Sequence, residues 1–377
     1  MSSQTTPAIP PGTYVQEELD ERGWTQLDLA DILSRPIRLV NEIISGKRAI
    51  TPETAQGLAA AFGTSAQLWM NLESAYRLKL ANTGTGSEHV TRRAQLFTFA
   101  PVRDMQRRGW IKEHIDGNEE LERELQRFFG TDLLDQPLVL SVACRRTATS
   151  DGLTPSQAAW CVRARQLASA QVVAKFHPDR FDGLESEIRK LAAFPKDARK
   201  LSDVFARYGV RFVVVEPLPS AKIDGAAFWL DEDSPAIAVS MRYDRVDAFW
   251  FTVMHECSHI RHADALSVDT EIVGSGAQGT PVNEVEQRAN AEASASLIPS
   301  EELESFIRRV GPLYSKPRIN QFANVLRIHP GVIVGQLQHR GEIGYHAHRE
   351  MLVKIRDVVV ATALTDGWGK TLSPDAL

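Results

Sequence analysis

Two histidines four residues apart, with a glutamate directly after the first, make His255-Glu256-Cys257-Ser258-His259 the segment best equipped for chemistry. On an α-helix, side chains four apart lie about 40° apart in projection and roughly 6 Å along the axis, so both imidazoles can address one metal ion. Glu256 is turned about 100° from His255 and can hold a carboxylate beside a water on that ion. Two neutral nitrogen ligands and one base are the parts of a zinc hydrolase, and zinc is the expected cofactor.

Zinc needs a third protein ligand, with its fourth position left to water. Downstream candidates are His262, Asp264, Asp269, Glu271, Glu284, Glu286 and Glu292. His262 stands roughly 10.5 Å from His255 along a continuous helix, whereas two nitrogens on one zinc lie within about 3.5 Å, so it is read as an outer or surface residue. The stretch 284–299, E-V-E-Q-R-A-N-A-E-A-S-A-S-L-I-P, predicts a helix whose small residues permit close approach to a neighbour, stopped by Pro299. Glu286, Asn290 and Ala293 share one face, which favours Glu286 as ligand and Asn290 as its support one turn later. Glu284 and Glu292 are the rivals, each expected to be solvated. Cys257 is expected to be packed, since a redox role needs an exposed thiolate.

The elements that must position these groups are also readable. No Gly or Pro interrupts Arg242 to Glu271, and Val246, Phe249, Trp250, Phe251 and Val253 predict a buried helix there. Upstream, the β-rich runs 210–218, 226–230 and 235–241 predict a small sheet whose edge could present backbone to a peptide. Downstream, 306–310, 318–326 and 330–341 read as short helices with a sharp turn at His329-Pro330-Gly331. His329, His339, His346 and His348 offer hydrogen-bond donors, and spacing selects none of them. Together, H-E-C-S-H at 255–259 and E-Q-R-A-N-A-E-A-S-A-S-L-I-P at 286–299 resemble the ImmA/IrrE type of metallopeptidase. The resemblance implies His255, His259 and Glu286 as metal ligands and Glu256 as general base. It also implies a regulatory protein, repressor or antitoxin-like, as substrate. Glu292 stands where that family usually has Phe.

A second signal lies near the N-terminus. Amphipathic runs separated by Gly23, Ser34-Arg35-Pro36 and Ser45-Gly46-Lys47 predict four or five short helices within seventy residues. Thr25 with Asp28 reads as a capping box opening the first helix of a helix–turn–helix layout; a three-residue turn and a helix bearing Arg38 and Asn41 follow. From residue 9 to 80 there are seven Lys+Arg and nine Asp+Glu, a net of −2. Yet Arg35, Arg38, Lys47 and Arg48 crowd one edge against Glu42 alone, which suits specific groove binding. T-Q-L-D-L-A at 25–30, N-E-I-I-S-G-K-R-A-I-T-P-E-T-A at 41–55 and L-W-M-N-L-E at 68–73 resemble the Xre-like domain of HigA-type antitoxins. By position, the resemblance implies Gln26, Arg38 and Asn41 as base-facing contacts and Arg35, Lys47 and Arg48 as phosphate contacts. R-P-I replaces the commoner Ser-capped start, a change that a helix's first turn tolerates.

Composition frames these sites. The chain has 377 residues, is 43% hydrophobic and carries a net charge of −5, which suits two or three domains and argues against bulk nucleic-acid binding. Three cysteines, Cys144, Cys161 and Cys257, make no disulfide framework and fit a reducing cytoplasm. No signal peptide and no membrane association are expected. The fold class expected is α+β, mostly α: a helix–turn–helix domain at 9–80, a linker at 81–88 and a helical connector at 89–208. A zincin-like peptidase domain at 209–345 and a C-terminal extension at 346–377 complete the chain. The expected partners are operator DNA, a protein substrate or toxin, and a second copy in a homodimer. The alternative function is a non-proteolytic HigA-like antitoxin whose peptidase-like domain senses a ligand or binds a partner.

Overall fold

A computed structural model describes residues 8–81, 86–132, 134, 153–264, 267–270 and 284–368. The chain divides into two units, Met1–Ala94 and Gln95–Leu377. The first is all-helical: α1 (Pro11–Arg22), α2 (Gln26–Ile32), α3 (Ile37–Ile44), α4 (Pro52–Phe62) and α5 (Ala66–Ala81). Its own core gathers Val15, Leu19, Leu29, Val40, Ile43, Leu58, Phe62 and Trp69. α1 and α4 end at Gly23 and Gly63, both in the left-handed conformation that glycine adopts without steric cost.

The second unit is a mixed sheet covered on both faces. Its strands are β1 (Arg211–Val214), β2 (Ile223–Trp229), β3 (Pro235–Val239), β4 (Ser267–Thr270) and β5 (Leu364–Thr365), in the order β4-β2-β3-β1-β5. β1 runs parallel to β3 and β5, and β2 runs antiparallel to β3 and β4. Side chains alternate along a strand, so Phe212 and Val214 enter one core while Val213 and Val215 enter the other. Helices α6 (Gly86–Phe99), α7 (Val102–Arg107), α8 (Asn118–Phe129) and α9 (Pro155–Ser169) supply the second of those cores. α9 is anchored by Trp160, whose indole N–H donates to the Val215 carbonyl at 2.8 Å. The first core is built by α10 (Phe181–Leu191), α11 (Leu201–Tyr208), α12 (Val246–Arg261), α13 (Glu284–Leu297), α14 (Ser300–Val310), α15 (Lys316–Leu326), α16 (Pro330–His339) and α17 (Arg356–Val360).

Three expectations about organisation change. The boundary between the units falls inside α6, which begins at Gly86 within the supposed 81–88 linker. Residues 89–208 do not form a connector of their own: α8 and α9 cover one face of the sheet, and α10 and α11 cover the other. The physical reason is that β1 and β3 are apolar on both sides, and a sheet of that kind requires helices on each face. The 346–377 extension likewise belongs to the body. Ile355, Val359 and Ala363 are buried, β5 pairs with β1, and Arg108 meets Asp366 in a buried ion pair at 3.2 Å. Among the described residues, no helix is long and apolar enough to cross a membrane.

Candidate functional site

α12 is fixed by its apolar side. Trp250, Val253, Met254, Cys257 and Ile260 sit in the core, and burying each large apolar side chain contributes about 1.5–3 kcal/mol. The same helix carries His255, Glu256 and His259, all with no solvent exposure. α13 packs along α12, its Ala289 and Ala293 buried where larger side chains would hold the helices apart. That approach brings Glu286, on the first turn of α13, to the two imidazoles. His255 Nε2 lies 3.0 Å from His259 Nε2 and 3.2 Å from Glu286 Oε2, and His259 Nε2 lies 3.7 Å from the same oxygen. Donors about 2.1 Å from one tetrahedral ion are about 3.4 Å apart, so this triangle has the size that zinc requires. Among the described residues, His255, His259 and Glu286 are the one group of three or more such side chains with this convergence.

The surroundings orient the triangle. His259 Nδ1 faces Asp264 Oδ2 at 2.9 Å, and Arg288 of α13 is ion-paired with the same carboxylate. With Nδ1 donating to a carboxylate, the tautomer leaves the Nε2 lone pair directed at the other two donors. Glu256 rests against β2 at Gly225: a Cβ there would lie 2.2 Å from Glu256 Oε1 and 2.8 Å from Thr252 Cγ2. The pairing of β2 with β4 shifts register between Ile223 and Gly225, at this same point.

The remaining candidates separate clearly. Asn290 is half-buried and its side chain makes no hydrogen bond to another described residue; Asp264 and Arg288 are the groups placed behind the His259 ring. Glu292 is not simply solvated, because it is anchored across the helix pair. The Ser258 hydroxyl donates to its Oε2 at 2.5 Å and His262 Nε2 lies 2.8 Å from its Oε1. Burial pushes the Glu292 carboxyl up, but the bonds to Ser258 and His262 outweigh it and hold the pKa below the usual value. Glu284 is exposed. Glu271 and the Asp269 side chain lie outside the described residues, as does Cys144. Cys257 is fully buried, and desolvation pushes its thiol well above the ordinary range, so it is a packed side chain. Of the four distal histidines, His329 caps α16 by accepting the Gly331 N–H at 3.1 Å, and His348 Nε2 donates to the Tyr314 carbonyl at 2.7 Å. His339 is exposed, its ring centroid 6.4 Å from that of Phe251.

In the N-terminal unit, Thr25 and Asp28 exchange both bonds of a capping box at the start of α2. The backbone N–H and hydroxyl of Thr25 hold the Asp28 carboxyl below its usual value. The chain turns through Ser34, at φ 51°, into α3, which buries Val40 and Ile43 and exposes Ile37, Arg38 and Asn41. Arg38 Nε lies 2.8 Å and Arg48 Nη1 3.2 Å from carboxylate oxygens of Glu42, Arg35 pairs with Glu53, and Lys47 is exposed. Gln26 belongs to α2, where it is half-buried and donates to Gln16 Oε1 at 3.1 Å.

A helix-turn-helix family model matches residues 15–69. Virulence-associated protein I of Dichelobacter nodosus is 42% identical over 85 residues, covering 22% of this chain and 79% of that protein. The uncharacterized HTH-type transcriptional regulator YddM of Escherichia coli (strain K12) is 35% identical over 68 residues, 18% of this chain and 72% of that protein. The chain belongs to the helix-turn-helix family. A solved structure, Pseudomonas aeruginosa antitoxin HigA with the higBA promoter, is 36% identical over 22% of this chain and 90% of that one, with a TM-score of 0.21.

Two residues of the helix-turn-helix unit escaped sequence reasoning. Gly12 lies where a Cβ would meet the carbonyl oxygens of Ile43 and Ile44 at 2.3 and 2.5 Å, so its lack of a side chain lets α1 close onto the end of α3. Glu73, buried on α5, accepts the Ile50 N–H at 3.0 Å and holds the loop that follows α3. A glycine in the first turn of a helix was the available signal for Gly12; nothing local marked Glu73.

Proposed function

We propose that the chain is a DNA-binding transcriptional regulator fused to a zinc-dependent peptidase that cleaves a repressor or antitoxin-like protein. The observation that carries the peptidase half is the convergence of His255, His259 and Glu286 beside the buried carboxylate of Glu256. A zinc ion bound there supplies Lewis-acid polarisation of a carbonyl and lowers the pKa of water. The chain's own residues do the rest. His255, His259 and Glu286 would hold the ion, and Asp264 with Arg288 fixes the His259 ring. Glu256 takes a proton from the attacking water and returns it to the leaving amine. The backbone space at Gly225 sets where that carboxylate rests. β4 closes one edge of the sheet next to β2, and its outer side pairs with no described strand, which suits an extended peptide laid along it.

The DNA-binding half is supported by family membership and by the exposure of Arg38 and Asn41 on α3 with Arg35, Lys47 and Arg48 at its ends. Two relatives are named for DNA-related roles, one a transcriptional regulator and one an antitoxin solved with promoter DNA. Operator binding as a homodimer follows the usual symmetry of such readers. The deciding experiment pairs zinc stoichiometry with cleavage of candidate regulators. Glu256→Gln retains one zinc per chain and loses cleavage by about 10²–10⁴-fold. Full cleavage by this variant, or a wild-type chain that takes up no zinc, removes the peptidase reading. A chain that binds zinc and operator but cleaves no regulator supports the antitoxin-like alternative.

A further inference from the structure

Along the N-terminal half of α12, one helical turn and more before His255, lies an open cleft that none of the metal-binding side chains lines and that the reaction chemistry does not account for. α12, α13 and α16 form it, so it shares both metal-binding helices. Phe251, His339 and Tyr345 are its aromatic members, and Ala248, Leu297 and Val332 are its apolar ones. Phe251 joins it to the metal centre. Its ring centroid lies 6.3 Å from that of His255, one helical turn on, and 6.4 Å from that of His339 across the cleft.

The charges in the cleft already have partners. Arg245 is ion-paired with Asp247 at 2.5 Å and reaches Gln338 Oε1 at 3.4 Å. Arg340 is turned to Glu304 at 3.1 Å. Gly335 keeps α16 close to this pair, since a Cβ there would meet Asp247 Oδ2 at 2.5 Å. An entering carboxylate or ammonium would have to break one of these pairs to be matched, whereas an uncharged apolar group need not.

We infer that this cleft is the recognition pocket for a bulky apolar or aromatic side chain of the peptide substrate, next to the bond presented to the metal centre. The inference rests on the peptidase reading. The pocket selects by shape and by the absence of free charge, and Phe251 links the seated side chain to the His255 side of the site. His339 and Tyr345, both exposed, form the mouth. Ser294, half-buried and also lining the cleft, stands two turns beyond Glu286 and contributes no metal ligand.

The test uses the full chain and two blocked amino acids, N-acetyl-phenylalanine amide and N-acetyl-aspartate amide, with binding followed by saturation-transfer NMR. The phenylalanine probe binds wild type at least ten-fold more tightly than the aspartate probe. Ser294→Phe, which fills the cleft, weakens phenylalanine binding at least ten-fold, and Tyr345→Ala, at the exposed mouth, weakens it several-fold. Zinc stoichiometry, measured separately, is the same in all three proteins. Equal binding of the two probes, or phenylalanine binding indifferent to both substitutions, overturns the pocket. Loss of zinc binding in wild type with selective phenylalanine binding intact removes the peptidase reading while leaving the pocket in place.

Discussion

At the scale of single residues, the candidate metal centre is defined as much by what holds the proposed ligands as by the ligands. His259 sits between two demands: its Nε2 must face His255 and Glu286, and its Nδ1 must be satisfied although the ring is wholly buried. Asp264 meets the second demand and is itself neutralised by Arg288. Removing that carboxylate leaves the ring free to rotate and Arg288 without its partner. Asp264→Ala is therefore expected to weaken zinc binding about 10- to 100-fold while leaving the helical content unchanged. Competitive titration against a chelator measures this, and an unaltered affinity would mean that packing alone orients His259. Asp264 is among the residues that spacing offers as a ligand; its placement five residues after His259 serves that histidine's far nitrogen instead.

At the scale of elements, legibility followed the length of the pattern. α12 was readable because an uninterrupted apolar run surrounds the histidine pair, and α13 because its small residues and Pro299 mark it off. β1, β2 and β3 were legible from their β-branched and aromatic runs. β4 and β5, four and two residues long, carry too little period to be seen, and their pairing is decided by the sheet they join. Glycine contacts were invisible for a related reason: Gly12 and Gly225 matter through atoms distant in sequence. Gly12→Ala is expected to destabilise the N-terminal unit by about 1–3 kcal/mol, because its Cβ would strike backbone carbonyls that cannot rotate away. A denaturant melt checks this, and an unchanged midpoint would mean that α1 and α3 separate without cost. On the surface of α3, Glu42 restrains Arg38 and Arg48 through pairs that are weak in water. Glu42→Gln should release both guanidinium groups, tightening non-specific DNA binding and steepening its salt dependence by about one to two phosphate contacts. A gel-shift series across salt reads that slope, and a slope equal to wild type would place both arginines away from phosphate.

At the scale of the whole molecule, two hydrophobic systems coexist in one chain. The helix-turn-helix unit closes a core around Leu19, Leu58 and Trp69, and the second unit closes two cores on opposite faces of one sheet. The candidate metal-binding residues belong to the second unit and the exposed face of α3 to the first, so under the proposed function each unit would have its own stabilising ligand. A ligand that binds only a folded unit stabilises that unit by about 2.7 kcal/mol at a hundred times its dissociation constant. Scanning calorimetry of the intact chain is thus expected to resolve two transitions. Zinc should raise one of them by a few degrees and a chelator should lower it, while the other stays fixed until operator DNA is added. If zinc moved both transitions together, or if only a single transition were found, folding of the DNA reader would be coupled to the metal centre. The protein would then behave as one cooperative body, in which metal loading itself governs DNA binding.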